Sequence, residues 1–162
     1  MIYHRFAHFE KSTIAKIPDQ HLPIIRIILA VIVFICMILQ FLANPTKTAF
    51  YYRLLTDVEL YATFFAILGL ILAHRASKVP SDQEITRTVD LMKKKNALIV
   101  NEIAIFLNIM CSLVYFVFQP IVNGSKAFEP NVKDNLFNSI AYFVSLFAVL
   151  FHFFCTRFAL LD

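Results

Sequence analysis

Apolar residues in this chain fall into four long runs separated by shorter polar stretches. The runs cover about 23–43, 55–74, 97–122 and 136–160. Each is long enough for a helix that crosses a hydrocarbon layer of about 30 Å, which takes about 20 residues. The runs do not alternate as barrel strands do, and backbone groups in hydrocarbon must bond within the helix. The pattern predicts an all-α polytopic membrane protein, one domain over 1–162 with a bundle of four transmembrane helices.

Two polar segments flank these runs. Residues 1–22 precede the first run, and 75–96 connect the second to the third. In the connection, Ser81 and Glu84 have capping-box spacing, and apolar residues then recur with helical spacing at Ile85, Val89 and Met92. We therefore predict a short amphipathic helix at the interface. Three lysines end the segment, Lys93, Lys94 and Lys95, which are either a lipid-headgroup site or a simple basic flank.

Composition narrows the class of protein. Hydrophobic residues make up 59% of the 162 residues and charged residues 16%, against roughly 45–50% and about 25% in soluble domains. This excludes a soluble enzyme, a disordered tail and a disulfide scaffold. The three cysteines lie in apolar runs without a metal-binding pattern, so we expect reduced cysteines and no cofactor. Basic residues flank the apolar runs, a distribution that favours membrane lipids and other membrane subunits as partners and not nucleic acid.

The distribution of lysine and arginine predicts the orientation. With four spans, the N-terminal segment, the 75–96 connection and the C-terminus lie on one side. Eleven of the fifteen basic residues lie on that side and four on the other. By the positive-inside rule, both termini face the cytoplasm or the mitochondrial matrix. The first run is long and preceded by a polar segment, so we expect no cleavable signal peptide.

Several polar residues interrupt the runs near this basic side. They are Arg26, His74, Asn101, Glu102 and Arg157. The four ionisable residues among them are predicted at roughly one depth, where an Arg26–Glu102 or Glu102–Arg157 pair would keep the carboxylate ionised and Asn101 could join by hydrogen bonding. Such a network is either an ion or proton path, or a device that fixes the register of the helices.

The second run carries charged residues at its other end. Asp57 follows Arg53 by four residues and can pair with it, whereas Glu59 has no basic residue at helical spacing. The two acids point to nearly opposite sides of a helix, which argues against a paired-carboxylate site. We take Arg53, Asp57 and Glu59 as candidates for contact with a partner chain.

Two stripes with helical spacing predict packing surfaces. Small residues recur in the second run at Ala62, Ala66, Gly69 and Ala73, which allows close approach of a neighbouring helix. Phenylalanines recur in the fourth run at Phe147, Phe151, Phe154 and Phe158. The single histidine of that run, His152, lacks a second axial ligand for haem and is interpreted as a structural residue.

One segment resembles a known family. Residues 52–68 (YRLLTDVELYATFFAIL) are similar to the second-span region of the androgen-induced and rolling-type family of polytopic membrane proteins. Some members hydrolyse fatty-acid esters of hydroxy fatty acids with a membrane-embedded threonine and histidine. The resemblance implies that Thr56 corresponds to the threonine, whereas Tyr142 stands where the histidine is expected. It therefore implies a degenerate lipid ester hydrolase, with Thr56 as its remaining catalytic candidate.

No motif in the sequence specifies a reaction, so three function classes stay open. The first is a non-catalytic accessory subunit of a larger membrane complex, with a respiratory or ATP synthase assembly of the mitochondrial inner membrane as the first hypothesis. The second is the hydrolase implied by the resemblance. The third is a small channel or transporter that uses Glu102.

Overall fold

The structure is a computed structural model that describes residues 8–12, 17–43, 50–78, 88–118, 120–121 and 132–157. Its helices are α1 (Leu22–Ala43), α2 (Phe50–Ala76), α3 (Thr88–Leu113) and α4 (Val132–Cys155). A 3₁₀ turn, Asp19–His21, precedes α1. Two short strands, β1 (His8–Ser12) and β2 (Thr156–Arg157), complete the described elements.

The four helices contact one another as a closed ring. Neighbours in sequence touch, α4 returns to α1, and α2 also contacts α4 across the bundle. The most extensive interface joins α2 and α3. The predicted helical bundle is therefore confirmed.

In the described ranges, three helices are long and apolar enough to cross a membrane: Asp19–Leu39, Val58–Ala76 and Met92–Val117. The fourth apolar stretch, Ser139–Cys155, is shorter. Many large apolar side chains on these helices are exposed, whereas the bundle interior contains alanine, serine and asparagine as well as leucine and valine. Small interior residues and a bulky apolar exterior are typical of helices that pack together in lipid.

Helix α3 changes its winding near its end. Residues Val114–Phe118 form a π-helical turn directly before Pro120. Proline has no N–H group with which to continue the backbone ladder, so the last turn widens. The regular α-helical winding therefore ends before Pro120.

A small sheet was not predicted. Strand β1 pairs antiparallel with β2, and the register places His8 opposite Arg157 and Ser12 opposite Thr156. The predicted fourth span continues to residue 160, but the structure ends α4 at Cys155 because the next two residues pair with β1. The paired strands join the segment before α1 to the residues that follow α4 at one end of the bundle.

The predicted interfacial helix between α2 and α3 is not seen as a separate element in the described residues. From Thr88 onward, the segment is the first part of a continuous α3. The capping residues Ser81 and Glu84 lie outside the described residues, so that part of the prediction is untested.

Candidate functional site

The small-residue stripe of α2 faces α3. Ala62, Ala66 and Ala73 are each at most 1% exposed. Ala66 shares a core cluster with Ala104 of α3, and Ala73 shares another with Ala97. The stripe therefore forms the close α2–α3 contact for which its spacing is suited.

Two asparagines of α3 bind this stripe directly. Asn101 Nδ2 donates to the carbonyl oxygens of Gly69 (3.1 Å) and Ala97 (2.7 Å). Asn108 Nδ2 donates to those of Ala62 (3.1 Å) and Ala104 (2.8 Å). The two asparagines are seven residues apart, as are Ala62 and Gly69, so the same bond pattern repeats after two helical turns.

The second asparagine extends the network to α4. Ser145 Oγ donates to Asn108 Oδ1 at 2.5 Å. Asn108 and Ser145 were missed by the sequence analysis, although the seven-residue spacing of Asn101 and Asn108 matches that of the stripe. That shared spacing is the signal that could have found Asn108.

Arg26 lies in the bundle interior, where it joins four segments. The residue is 1% exposed. Its Nη2 donates to the Phe9 carbonyl oxygen of β1 (2.6 Å) and to Thr156 Oγ1 of β2 (3.4 Å), and Nη1 donates to the Ala73 carbonyl oxygen (3.4 Å). The guanidinium carbon lies 6.0 Å from the centre of the Phe9 ring. Arg26 thus connects α1, α2 and both strands.

His152 extends this cluster. Its Nδ1 lies 3.2 Å from Thr156 Oγ1, and the side chain is buried. Among the described residues, its Nε2 has no hydrogen-bond partner. This placement agrees with the interpretation of His152 as a hydrogen-bonded structural residue.

The structure brings only part of the predicted polar network together. His74 follows Ala73, whose carbonyl oxygen accepts from Arg26. Asn101 donates to the carbonyl oxygen of Gly69, one turn earlier in α2. The backbone of Arg157 belongs to β2, but its side chain lies outside the described part of the structure. Glu102 is not in this interior cluster.

Glu102 is exposed on the outer face of α3. Ile99 and Phe106, one turn before and after it, and the adjacent Ile103 are all exposed. No hydrogen bond or ion pair joins its carboxylate to another residue of the described ranges. The predicted Arg26–Glu102 pair is therefore wrong, because adjacent residues on a helix point about 100° apart and Asn101 occupies the inward position.

Glu59 is buried between α2 and α3. It is 1% exposed, and neither carboxylate oxygen has a hydrogen-bond partner among the described residues. The Cys111 thiol of α3 lies near enough to the Glu59 carboxyl group to interact with it. The interior position differs from the predicted contact between Glu59 and a partner chain.

We expect Glu59→Met to raise the free energy of unfolding by about 1–3 kcal/mol, because a buried acceptor without a donor costs about that much. Thermal unfolding in detergent can be followed with a thiol-reactive dye, since Cys36, Cys111 and Cys155 are all buried. The matched control is Val58→Met at the exposed neighbouring position. A lower stability of Glu59→Met would contradict the expectation and would indicate a stabilising donor to Glu59, either the Cys111 thiol or a residue outside the described ranges.

The remaining candidates are placed as follows. Arg53, Thr56 and Asp57 belong to α2, but their side chains lie outside the described part of the structure. Lys93 and Lys95 are exposed, whereas Lys94 is 3% exposed and lies on the inward face of α3. The three lysines therefore do not form one exposed patch.

The position that the family resemblance assigns to histidine has a packing role here. Tyr142 stacks on Tyr115 with ring centres 4.3 Å apart, and the Tyr115 hydroxyl lies 3.1 Å from Ser139 Oγ. Both tyrosines are buried beside Ala62 and Cys111. This cluster joins α3 to α4 at the end of the bundle opposite the strands.

Protein-family models, curated proteins and solved structures give no match to this chain. The resemblance to the androgen-induced and rolling-type family therefore stays a prediction. Among the described residues, no group of three or more metal-ligating side chains could hold a metal ion.

Proposed function

We propose that the chain is an integral membrane protein that acts as a non-catalytic accessory subunit of a larger membrane complex. The contact with its neighbour is the Glu102 face, which we define as Ile99, Glu102, Ile103, Phe106 and Met110 on the exposed side of α3. The observation that carries the proposal is the position of Glu102 on this otherwise apolar face.

The depth of Glu102 makes it costly in lipid. Glu102 is five residues, or about 7.5 Å along the helix, inside the apolar run that begins at Ala97, and fifteen residues, or about 22 Å, from Val117. A charged residue costs about 2.5–3.5 kcal/mol at the centre of a span on insertion scales, and Glu102 on an exposed apolar face bears part of that cost.

A neighbouring subunit would offset this cost. A basic or hydrogen-bond-donating side chain on a second helix would pair with the carboxylate, and the flanking apolar residues would pack around the pair. Among the described residues, the Arg26 guanidinium is inside the bundle and directed to Phe9, Ala73 and Thr156. This favours a donor supplied by another chain.

We infer that the complex lies in the mitochondrial inner membrane, with both termini on the matrix side. The excess of basic residues on the side of the two termini supports the orientation. The respiratory and ATP synthase assemblies are the class of complex that we propose, since such assemblies include many small helical chains.

The test compares assembly of the wild-type chain and Glu102→Leu after mild-detergent extraction from native membranes. Native gels and mass spectrometry should show the wild type in a large complex at fixed stoichiometry. The assembled fraction of Glu102→Leu should fall at least tenfold, because loss of one partner of a buried charge pair costs about 2–5 kcal/mol. Met110→Leu, on the same exposed face, is the matched control.

Other outcomes would overturn the proposal in distinguishable ways. Wild-type chain that runs alone would exclude the subunit function. Normal assembly of Glu102→Leu would place the contact elsewhere. Ester hydrolysis that is lost in Thr56→Ala, or ion flux that changes in Glu102→Gln, would support the hydrolase or transport function instead.

A further inference from the structure

We propose that the groove between α1 and α2 binds an acyl chain of an anionic phospholipid, with the lipid headgroup beside His74 and Lys78. This site does not depend on the proposed function, because it requires only one chain in a bilayer. It also differs from the lysine triplet of α3, which the sequence suggested as a headgroup site.

The groove has a volume of about 230 Å³. Its walls are apolar, with Ile27, Val31 and Phe34 of α1 facing Leu70 and Ile71 of α2. The α1 residues are spaced by four and three positions, so they line one face of the helix over about 10 Å. These dimensions suit a segment of a single extended hydrocarbon chain.

One end of the groove is positively charged. Arg26 and His74 close this end, and Lys78 follows His74 by one helical turn at an exposed position. Both Arg26 and Lys78 are near enough to His74 for their charges to act on it. Because the Arg26 guanidinium binds backbone carbonyl groups, it contributes charge, whereas His74 and Lys78 are the groups able to contact a headgroup.

His74 has unused hydrogen-bonding capacity at this position. Its Nδ1 is buried and has no hydrogen-bond partner among the described residues. Among the described residues, the charges that act on the ring are those of Lys78 and Arg26, and neither is acidic. A phosphate oxygen nearby would be attracted by Arg26 and Lys78 together, and the imidazole would be oriented toward it.

A phospholipid fits the groove better than a peptide. The charged end lies at the boundary of the apolar stretch Val58–Ala76, where lipid headgroups meet the hydrocarbon. The apolar end extends toward the middle of that stretch, where only acyl chains are available. A ligand with one anionic end and one long apolar end matches both parts.

The experiment reconstitutes the full-length chain in nanodiscs of equimolar phosphatidylcholine and phosphatidylglycerol. Native mass spectrometry of the chain released into mild detergent then measures how much of each lipid stays bound. The wild type should retain phosphatidylglycerol in excess. The excess should fall about fivefold in Lys78→Gln, since one basic residue near a membrane surface contributes about that factor, and it should fall further in His74→Gln/Lys78→Gln.

Two controls distinguish binding in the groove from general effects of positive charge and of side-chain size. Lys95→Gln removes an equally exposed lysine from α3 and should leave the excess unchanged. Val31→Trp places a large ring at the groove and should reduce binding of both lipids, whereas Ile32→Trp, directed about 140° from the groove centre on α1, should not.

Three results would overturn the proposal. The first is equal retention of both lipids by the wild type. The second is a loss of the phosphatidylglycerol excess in Lys95→Gln comparable to that in Lys78→Gln. The third is full retention of bound lipid in Val31→Trp. Lys78 is exposed at the end of α2, so its variant should fold even if the tryptophan variants do not.

Discussion

Arg26→Ala should lower the free energy of unfolding by about 3–5 kcal/mol, because it removes a buried charged side chain from the polar groups that surround it. The Phe9 carbonyl group would lose its donor at 2.6 Å, and the contact with Thr156 would be lost as well. Unfolding in detergent, followed with the thiol-reactive dye, measures the change. Increased proteolysis or hydrogen exchange at residues 8–12 would show that the strands separate first.

Arg75→Ala is the control for this prediction, since Arg75 lies at the end of α2 that Arg26 contacts but is exposed. We expect a change within about 0.5 kcal/mol for this surface substitution. Arg26→Lys should give an intermediate loss, because an ammonium group keeps the charge but not the forked geometry. Equal stabilities of Arg26→Ala and Arg75→Ala would contradict the interior role of Arg26.

Gly69→Leu should separate α2 from α3 and cost about 3 kcal/mol or more. A Cβ atom at Gly69 would lie 2.9 Å from Asn101 Oδ1 and 3.2 Å from Asn101 Cγ. Asn101 cannot move away without loss of its bonds to the Gly69 and Ala97 carbonyl groups. Overpacking of this kind costs about 1–3 kcal/mol for small insertions, and leucine is larger.

A double-mutant cycle checks the cause. Gly69→Ala alone should destabilise through the contact with Asn101, and Asn101→Ala alone should destabilise through the lost hydrogen bonds. If the clash is the cause, the loss of unfolding free energy in the double variant will be smaller than the sum of the two single losses by about 1 kcal/mol or more. Additive effects would show that Gly69 and Asn101 act independently.

The helices could be predicted from the sequence, whereas most contacts between them could not. Apolar run length predicted α1 and α2 to within a few residues, because helices in lipid must satisfy their own backbone. The β1–β2 pair could not be anticipated, since its strands are short and lie at opposite ends of the sequence. Pairing between such distant segments leaves no local pattern.

The candidate site shows a second limit. Asn101 and Glu102 are adjacent, yet one is inside the α2–α3 interface and the other is on the exposed face. In a soluble protein, hydropathy would separate the two faces. Here the exposed face is as apolar as the core, so the inward side of α3 is indicated by its small and amide side chains and not by its hydrophobicity.

The pairing of β1 with β2 has a consequence for biogenesis. A ribosome makes residues 8–12 before residues 156–157, so the sheet closes only after all four helices have been synthesised. Arg26 is therefore synthesised well before Thr156, whose hydroxyl it contacts in the finished structure. The order of synthesis therefore makes completion of α4 the step that gives the arginine its contact with Thr156 and pairs the strand before α1 with the strand after α4.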